Sequence, residues 1–289
     1  MNVDSLYFAA PENWPVSLIA GLFGLLIGSF LNVVIYRVPK MMQRDFDNYV
    51  AQETGRELPH QDEFNLMLPR SACPHCGHQI SAVENIPVLS FIALRGRCAG
   101  CKAPISPRYP IIEMLTALIS FAMVWHFGSG IAGLASLVFS YFLISLALID
   151  FDTQLLPDDI TYPLLWCGLL VNTQAVFCTL TEAVYGAVLG YLVLWCVYWA
   201  FKLITKKEGM GYGDFKLLAA LGAWCGWMAL PALILMSSLA GAIIGIALIL
   251  VRKQGRDMPM PFGPYLVIAG LISLPFGSVI IQHYLGVHL

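Results

Sequence analysis

"MLTALISFAMVWHFGSGIAGLASLVFSYFLISLALI", residues 114–149, is a stretch of 36 residues without one charged side chain. A transmembrane helix needs about 20 apolar residues, so this stretch predicts two spans with a turn at Phe127–Gly130. A second long run, 217–251, predicts another pair of spans with a turn at Gly226–Pro231. Single spans are predicted by the other uncharged runs, 16–36, 160–181, 183–201 and 258–289. The sequence therefore predicts an all-α polytopic membrane protein with about eight transmembrane helices.

The distribution of charge predicts the orientation of these spans. Charged residues make up 12% of the chain, against about 25% in soluble domains, which excludes an ordinary soluble domain. If the N-terminus lies outside, all 16 Lys and Arg fall within or beside the inside segments. Such a bias is typical of cytoplasmic loops. The first span lacks a small-residue cleavage pattern, so we expect an anchor rather than a cleaved signal peptide.

The same pattern predicts three parts. Residues 1–37 form the outside N-terminus and span 1, residues 38–110 form a polar cytoplasmic domain between spans 1 and 2, and residues 111–289 form a membrane domain of about seven spans. Within the polar domain, the stretch Met41–Pro69 matches no motif, and no role is predicted for it.

The polar domain contains two paired-cysteine motifs, "CPHCGH" (73–78) and "RCAGCK" (97–102). The spacing C-x2-C-x21-C-x2-C supplies four thiolates for a tetrahedral ion, and zinc is the usual occupant. Two disulfides or free cysteines are the alternatives, and a loop in a reducing compartment disfavours the disulfides. His75 and His78 are competing ligands, although four cysteines already complete the shell. We therefore predict a structural zinc site formed by Cys73, Cys76, Cys98 and Cys101.

Two acids lie at the edges of apolar runs. "LIDFDTQLLPDDI" (148–160) contains Asp150, and "GMGYGDFKLLAALGAW" (209–224) contains Asp214. Two predicted spans separate them, so the chain returns to the same face and both carboxylates lie at a similar depth. Carboxylates at that depth usually face a protein interior or a wet cavity. Two that meet in a poorly solvated site share a proton, as in aspartyl proteolysis.

Other interpretations of these acids remain open. Asp214 is also explained as a helix cap, and Asp150 as a residue at the membrane interface. A transporter or channel would use the same acids to bind cations, although it would be expected to spread acids across the membrane. A non-catalytic scaffold of a secretion system is a further possibility.

Taken together, the motifs resemble those of the type IV prepilin peptidases, which are membrane aspartyl proteases of the GxGD kind. "GYGD" (211–214) and "LIDFDTQLLPD" (148–158) carry the resemblance in the membrane part. It extends over nearly the whole chain through the paired cysteines, "GSFLNVVIYRVP" (28–39), "ENIPVLSF" (84–91), "RGRCAGC" (95–101), "SPRYPIIEMLTAL" (106–118) and "PFGPYL" (261–266).

The resemblance implies an activity and its partners. It implies that Asp150 and Asp214 are the catalytic pair that removes the basic leader of type IV prepilins and type II secretion pseudopilins at the cytoplasmic face. It also implies N-methylation of the new N-terminal residue with S-adenosylmethionine as donor. The expected location is the bacterial inner membrane, with the N-terminus in the periplasm. The lipid bilayer is the other expected partner, and no nucleic acid is expected.

Overall fold

The computed structural model describes residues 14–207, 209–252 and 261–285, and these parts of the chain are helical and contain no β-sheet. The helices are α1 (Trp14–Glu53), α2 (Leu89–Ala93), α3 (Arg108–Phe127), α4 (Ile131–Thr153), α5 (Asp158–Asn172), α6 (Leu180–Thr205), α7 (Tyr212–Cys225), α8 (Leu230–Arg252) and α9 (Gly263–Leu285). A short 3₁₀ turn, Trp227–Ala229, leads into α8.

All of these helices except the short α2 correspond to predicted spans. Within the described residues, six are long and apolar enough to cross a membrane, namely α1, α3, α4, α6, α9 and α8 with the turn before it. Helices α5 and α7 have 15 and 14 residues, about 21–23 Å at 1.5 Å per residue. The prediction of an all-helical polytopic membrane protein is confirmed, with two of the eight segments shorter than a full span.

The chain divides into two compact units, Met1–Gly128 and Ser129–Leu289. In the first unit, α1 and α3 pack antiparallel through small residues. A Cβ at Gly24 would lie 2.9 Å from the Ala117 backbone, and one at Gly28 would lie 2.7 Å from the Glu113 backbone. Close backbone approach of this kind is common where helices pack within membranes.

Helix α1 continues far beyond the end of its apolar run. It passes the predicted boundary at residues 37 and 38 and ends at Glu53, because residues 40–53 are rich in good helix formers such as Lys, Met, Gln and Arg. The chain after it folds back along the helix. Arg37 donates to the carbonyl oxygens of Asn65 and Pro69 at 2.7 and 2.5 Å. The stretch of unassigned role is therefore partly helix and partly a segment that covers this helix.

The buried carboxylate of Glu113 on α3 holds the loop before α2 in the first unit. It accepts the backbone N–H of Val88 at 2.7 Å. Val88 has a φ of 59°, a conformation that β-branched residues rarely adopt. Asn32 on α1 donates to the carbonyl oxygen of Tyr109 at 3.3 Å. These contacts attach the loop before α2 and the start of α3 to the helix pair.

Helix α7 is the central helix of the second unit. Its residues 217–224 are all buried, as expected for a helix that is apolar on every side. Helix α6 packs antiparallel to it, with a Cβ at Gly222 placed only 2.2 Å from the carbonyl oxygen of Gly186. Helix α6 begins with a capping box between Thr179 and Glu182, which satisfies two backbone donors at its start.

Helices α5 and α7 run parallel. Asp158 at the start of α5 binds Lys216 near the start of α7. Further along, Trp224 Nε1 donates to the carbonyl oxygen of Leu164 at 2.8 Å, and Asn172 donates to that of Ala223 at 2.9 Å. Because α5 and α7 start at the same end with α6 between them in the chain, the predicted return of the chain to one face is confirmed.

Candidate active site and candidate metal centre

A cavity of about 810 Å³ lies in the second unit where α4 ends and α7 begins. Its walls come from the end of α4, the loop 154–158, the segment 209–211, the first turns of α7, and parts of α8 and α9. Asp150 and Asp214 both line it. The predicted proximity of the two carboxylates is thus found, while their catalytic role stays a prediction.

Asp150 lies in the last turn of α4 and is 5% exposed. Its Oδ2 accepts the backbone N–H of Gly263, the first residue of α9, at 2.9 Å in a buried position. Helices α4 and α9 pack antiparallel, so the end of one meets the start of the other. The interpretation of Asp150 as a solvated interface residue is therefore wrong.

Asp214 is the third residue of α7 and is 7% exposed. The N-cap position belongs to Gly211, and no side-chain cap bond is formed there. Asp214 is therefore not the N-cap residue, although an acid in the first turn of a helix is favoured by the helix dipole. That dipole alone does not account for a buried carboxylate that lines a cavity with a second acid.

The cavity mouth carries an ion pair between helices α5 and α7. Lys216 Nζ lies 2.7 and 2.8 Å from the two carboxylate oxygens of Asp158 and 5.2 Å from the ring centroid of Tyr162. Asp158 lies in the first turn of α5, where an acid is favoured by the helix dipole, and its charge is already paired with Lys216.

Gly213 is required by packing within the chain. A Cβ there would lie 2.7 Å from the Cβ of Leu156 in the loop after α4. The glycine at this position therefore lets the loop reach the start of α7. At Gly211 a Cβ would meet only Asp214 Oδ2, at 3.9 Å.

The four predicted cysteines meet in the first unit, with all four Sγ atoms within 4.8 Å of one another. Cys73 and Cys101 are 3.8 Å apart, and Cys76 and Cys98 are 4.0 Å apart. A tetrahedral site with Zn–S bonds of about 2.3 Å requires sulfur separations of about 3.8 Å. The donor set and its spacing therefore fit zinc, and none of these four cysteines forms a disulfide.

Each cysteine pair is held by the same backbone pattern. In the first turn the N–H of Gly77 bonds to the carbonyl oxygen of Cys73, and in the second the N–H of Lys102 bonds to that of Cys98. Backbone N–H groups of His75 and then Cys76 lower the pKa of the Cys73 thiol to about 7. Those of Cys101 and then Gly100 lower the pKa of Cys98. At these two cysteines the turns favour the thiolate, the form that binds metal. At Cys76 the backbone N–H of His78 lowers the pKa of the thiol, but the contacts with the other sulfurs, that of Cys101 first, outweigh it and raise the pKa to about 11.

His78 lies beside this cluster but binds a carboxylate. Its Nε2 is 3.1 Å from Glu84 Oε1. The backbone N–H of Ser81, followed by the His78 ring, lowers the pKa of Glu84 to about 2. The prediction that His78 lies outside the first coordination shell agrees with this contact. The four cysteines of the apolar spans are also free, and Cys178 Sγ donates to the carbonyl oxygen of Trp224 at 3.8 Å.

Some contacts at the cavity were not predicted from the sequence. The bond between Gly263 and Asp150 joins residues 113 positions apart, and no pattern marks it beyond a glycine between the aromatic Phe262 and Pro264. Pro261 and Phe262, which directly precede α9, also line the cavity. The ion pair of Lys216 with Asp158 had no signal apart from opposite charge on the same face.

These features define a class, that of multi-pass helical membrane proteins with two buried carboxylates in one cavity and a separate tetra-cysteine cluster. Two family models match the chain. The model described as the Bacterial Peptidase A24 N-terminal domain matches residues 22–127, and that of the Type IV leader peptidase family matches residues 137–246.

Similar curated proteins extend the match to almost the full chain. A protein of Aeromonas hydrophila is 56% identical over 266 residues, covering 91% of this chain and 92% of its own length. Proteins of Stutzerimonas stutzeri and Pseudomonas aeruginosa are 52% and 53% identical, and cover 96% and 91% of both chains. All three carry the name prepilin leader peptidase/N-methyltransferase. No solved structure gives a significant match. The chain belongs to the type IV leader peptidase family.

Proposed function

We propose that this protein is a membrane aspartyl endopeptidase and N-methyltransferase that processes type IV prepilins and type II secretion pseudopilins. Its catalytic pair is Asp150 and Asp214. The observation that carries the proposal is that these two acids, 5% and 7% exposed, line a single cavity. Family membership and the printed names of the similar proteins support the choice of substrate.

The chemistry requires one proton between the two acids. One carboxylate accepts a proton from a water molecule, which attacks the carbonyl carbon of the scissile bond. The other, protonated, acid donates its proton to the carbonyl oxygen. The tetrahedral intermediate then collapses and the C–N bond breaks. The first acid gives the proton it took from water to the leaving amine, and the second carboxylate takes a proton back from a hydroxyl of the intermediate, which restores the pair. A low-dielectric cavity favours one shared proton because two like charges in it repel strongly.

The position of the pair suits a substrate that is itself anchored in the bilayer. The prepilin's apolar N-terminal helix lies in the membrane and its basic leader extends into the cytoplasm. The cut is then made at the boundary, where α4 ends and α7 begins. The excess of Lys and Arg on that side supports a cytoplasmic active site and a periplasmic N-terminus in the bacterial inner membrane.

The tetra-cysteine cluster is assigned to zinc through Cys73, Cys76, Cys98 and Cys101. With four thiolates the ion has no open position for water, so its contribution is to stabilise the fold of the two turns. S-adenosylmethionine would supply the methyl group. The groove of about 470 Å³ on α1 and α3 is lined by apolar side chains and Gly21. This groove has no charged side chain to bind the charged groups of such a donor, so it does not fit S-adenosylmethionine.

The test is incubation of the purified protein with a prepilin and a labelled methyl donor, with leader loss and methylation measured together. Asp150→Asn and Asp214→Asn keep size but remove the base or the shared proton. Each should lower the cleavage rate on the order of 10⁴-fold, and the double variant should lose little more, because the pair acts as a unit. Methylation of an already processed pilin should persist.

Asp152→Asn is the matched control, since Asp152 lies on the same helix and is exposed. We expect it to cleave at a rate within a few-fold of wild type. Cleavage at the wild-type rate by well-folded Asp214→Asn would show that the aspartyl mechanism is wrong and that this carboxylate only stabilises the start of α7.

A further inference from the structure

We infer that Gly263 is a positioning residue for proteolysis, whose backbone N–H at the start of α9 holds the Asp150 carboxylate in its reactive orientation. The inference rests on the proposed function and adds to it a residue that has no reactive side chain. Two observations carry it, namely the hydrogen bond to Asp150 and the space beside that bond.

The hydrogen bond is short and buried. Gly263 N donates to Asp150 Oδ2 at 2.9 Å, and both residues are buried. The donor belongs to the first turn of α9, where backbone N–H groups have no partner within the helix and the helix dipole favours negative charge. A carboxylate that accepts such a bond is stabilised in its ionised form. The bond also fixes the rotation of the carboxylate about its Cβ–Cγ axis.

The space beside the bond leaves no room for a Cβ at position 263 while the Asp150 carboxylate keeps its position. A Cβ at position 263 would lie 2.6 Å from Asp150 Oδ2, 3.1 Å from Cγ and 3.4 Å from Cβ. The obstacle is the end of one side chain rather than packed backbone. An added methyl group would therefore turn the carboxylate away and leave the helix in place, which separates positioning from folding.

The charged surroundings of Asp150 are few. Among the residues that line the cavity, the charged or titratable ones are Asp158 from α5, Tyr212, Asp214 and Lys216 from α7, and Tyr265 from α9. Asp158 and Lys216 neutralise each other at the mouth. The N–H of Gly263 therefore stabilises ionised Asp150, whereas the like charge of Asp214 repels it. Loss of this donor should disfavour the ionised form of Asp150.

Two variants test this role in the full-length protein with prepilin as substrate. Gly263→Ala displaces the carboxylate, and Gly277→Ala in the same helix is the control, since nothing lies within 4 Å of a Cβ there. We expect Gly263→Ala to lower kcat about tenfold or more and to change KM little. We also expect the acid limb of its pH–rate profile to move to higher pH by about half a unit or more. Gly277→Ala should match wild type.

A second replacement removes the donor without adding an atom. Glycolic acid in place of Gly263 exchanges the backbone N–H for an ester oxygen, and it should move the acid limb in the same direction. This version decides the question if Gly263→Ala does not fold. If the glycolic acid protein, or folded Gly263→Ala, keeps the wild-type kcat and pH profile while Asp150→Asn is inactive, Gly263 has no positioning role and the proposed function stands. If Asp150→Asn cleaves normally, both fall together.

Discussion

In the second cysteine turn, Lys102 occupies the place that Gly77 occupies in the first. Both residues follow the first cysteine of their pair by four positions, and both have positive φ, 62° for Lys102 and 71° for Gly77. Residues other than glycine are strained in this left-handed conformation, at a cost of roughly 1–2 kcal/mol. One of the two turns is therefore less well suited to its backbone than the other.

Replacing Lys102 with glycine should relieve this strain. The expected gain in the free energy of unfolding is up to about 1 kcal/mol, because the greater chain entropy of glycine offsets part of the relief. Thermal unfolding of the metal-loaded protein measures it. Gly77→Lys is the reverse change and should destabilise by about 1–2 kcal/mol. Equal losses from both variants would contradict the equivalence of the two positions.

The ion pair at the cavity mouth leads to a prediction about substrate affinity. Lys216→Gln leaves Asp158 without its partner and able to attract a basic leader, so KM should fall about two- to threefold at low salt. Asp158→Asn exposes the Lys216 charge, and KM should rise by a similar factor. The double variant should lie close to wild type, and high salt should reduce each difference. A KM that does not change with either variant would exclude this electrostatic role.

Much of the residue-level site could be predicted from the sequence, and the reason is topological. Asp150 and Asp214 were expected to meet because two crossings return the chain to one face, whatever the exact length of each helix. The cysteines were expected to meet because one ion needs all four. The partner of Asp150 could not be predicted, since the contact with Gly263 depends on the register between α4 and α9.

At the scale of helices, α6 and α7 approach each other closely enough for their backbones to be in contact at Gly186 and Gly222. Gly222→Ala would place a methyl group 2.2 Å from the carbonyl oxygen of Gly186, and the obstacle is backbone that cannot turn aside. The two helices must separate, at an expected cost of about 1–3 kcal/mol in the free energy of unfolding.

The separation should also lower cleavage, because α7 carries Asp214. Thermal unfolding and prepilin cleavage, measured together in detergent or lipid, check both effects, with Gly277→Ala as a control of equal chemistry. Unchanged stability of Gly222→Ala would show that there is room for a methyl group between the backbones of α6 and α7 at Gly222 and Gly186.

The ends of helices were predicted less well than their number. The uncharged run around the first span ends at Tyr36, but α1 continues to Glu53, because charge marks contact with water and does not end a helix. The segment after α1 folds back through Phe64, whose ring lies 5.5 Å from the Arg37 guanidinium and 4.9 Å from that of Arg44. Cation–π contacts of this kind depend on side-chain placement and leave no periodic pattern.

For the whole molecule, the division into two units predicts that loss of the metal destabilises the cysteine turns of the first unit. We expect about one zinc per chain by elemental analysis. Chelation, or Cys73→Ser, should release it and make residues 70–105 sensitive to protease, since the ion contributes folding energy to these turns. Cys196→Ser, which changes an exposed cysteine outside the cluster, should keep the metal. Active wild-type protein that contains no metal would contradict the assignment.

The short helix α5 has a consequence for the lipid around it. Trp166 and Leu170 on its surface are exposed, and its 15 residues span about 22 Å, while the hydrocarbon layer of a bilayer is about 30 Å thick. Hydrophobic mismatch of this size is accommodated by local thinning of the bilayer. The membrane surface should therefore dip towards Asp158, beside the carboxylate cavity. A substrate peptide bond that lies just below the surface of an undisturbed membrane would be exposed to bulk water beside this protein, because the membrane surface is lowered and the bond does not have to move.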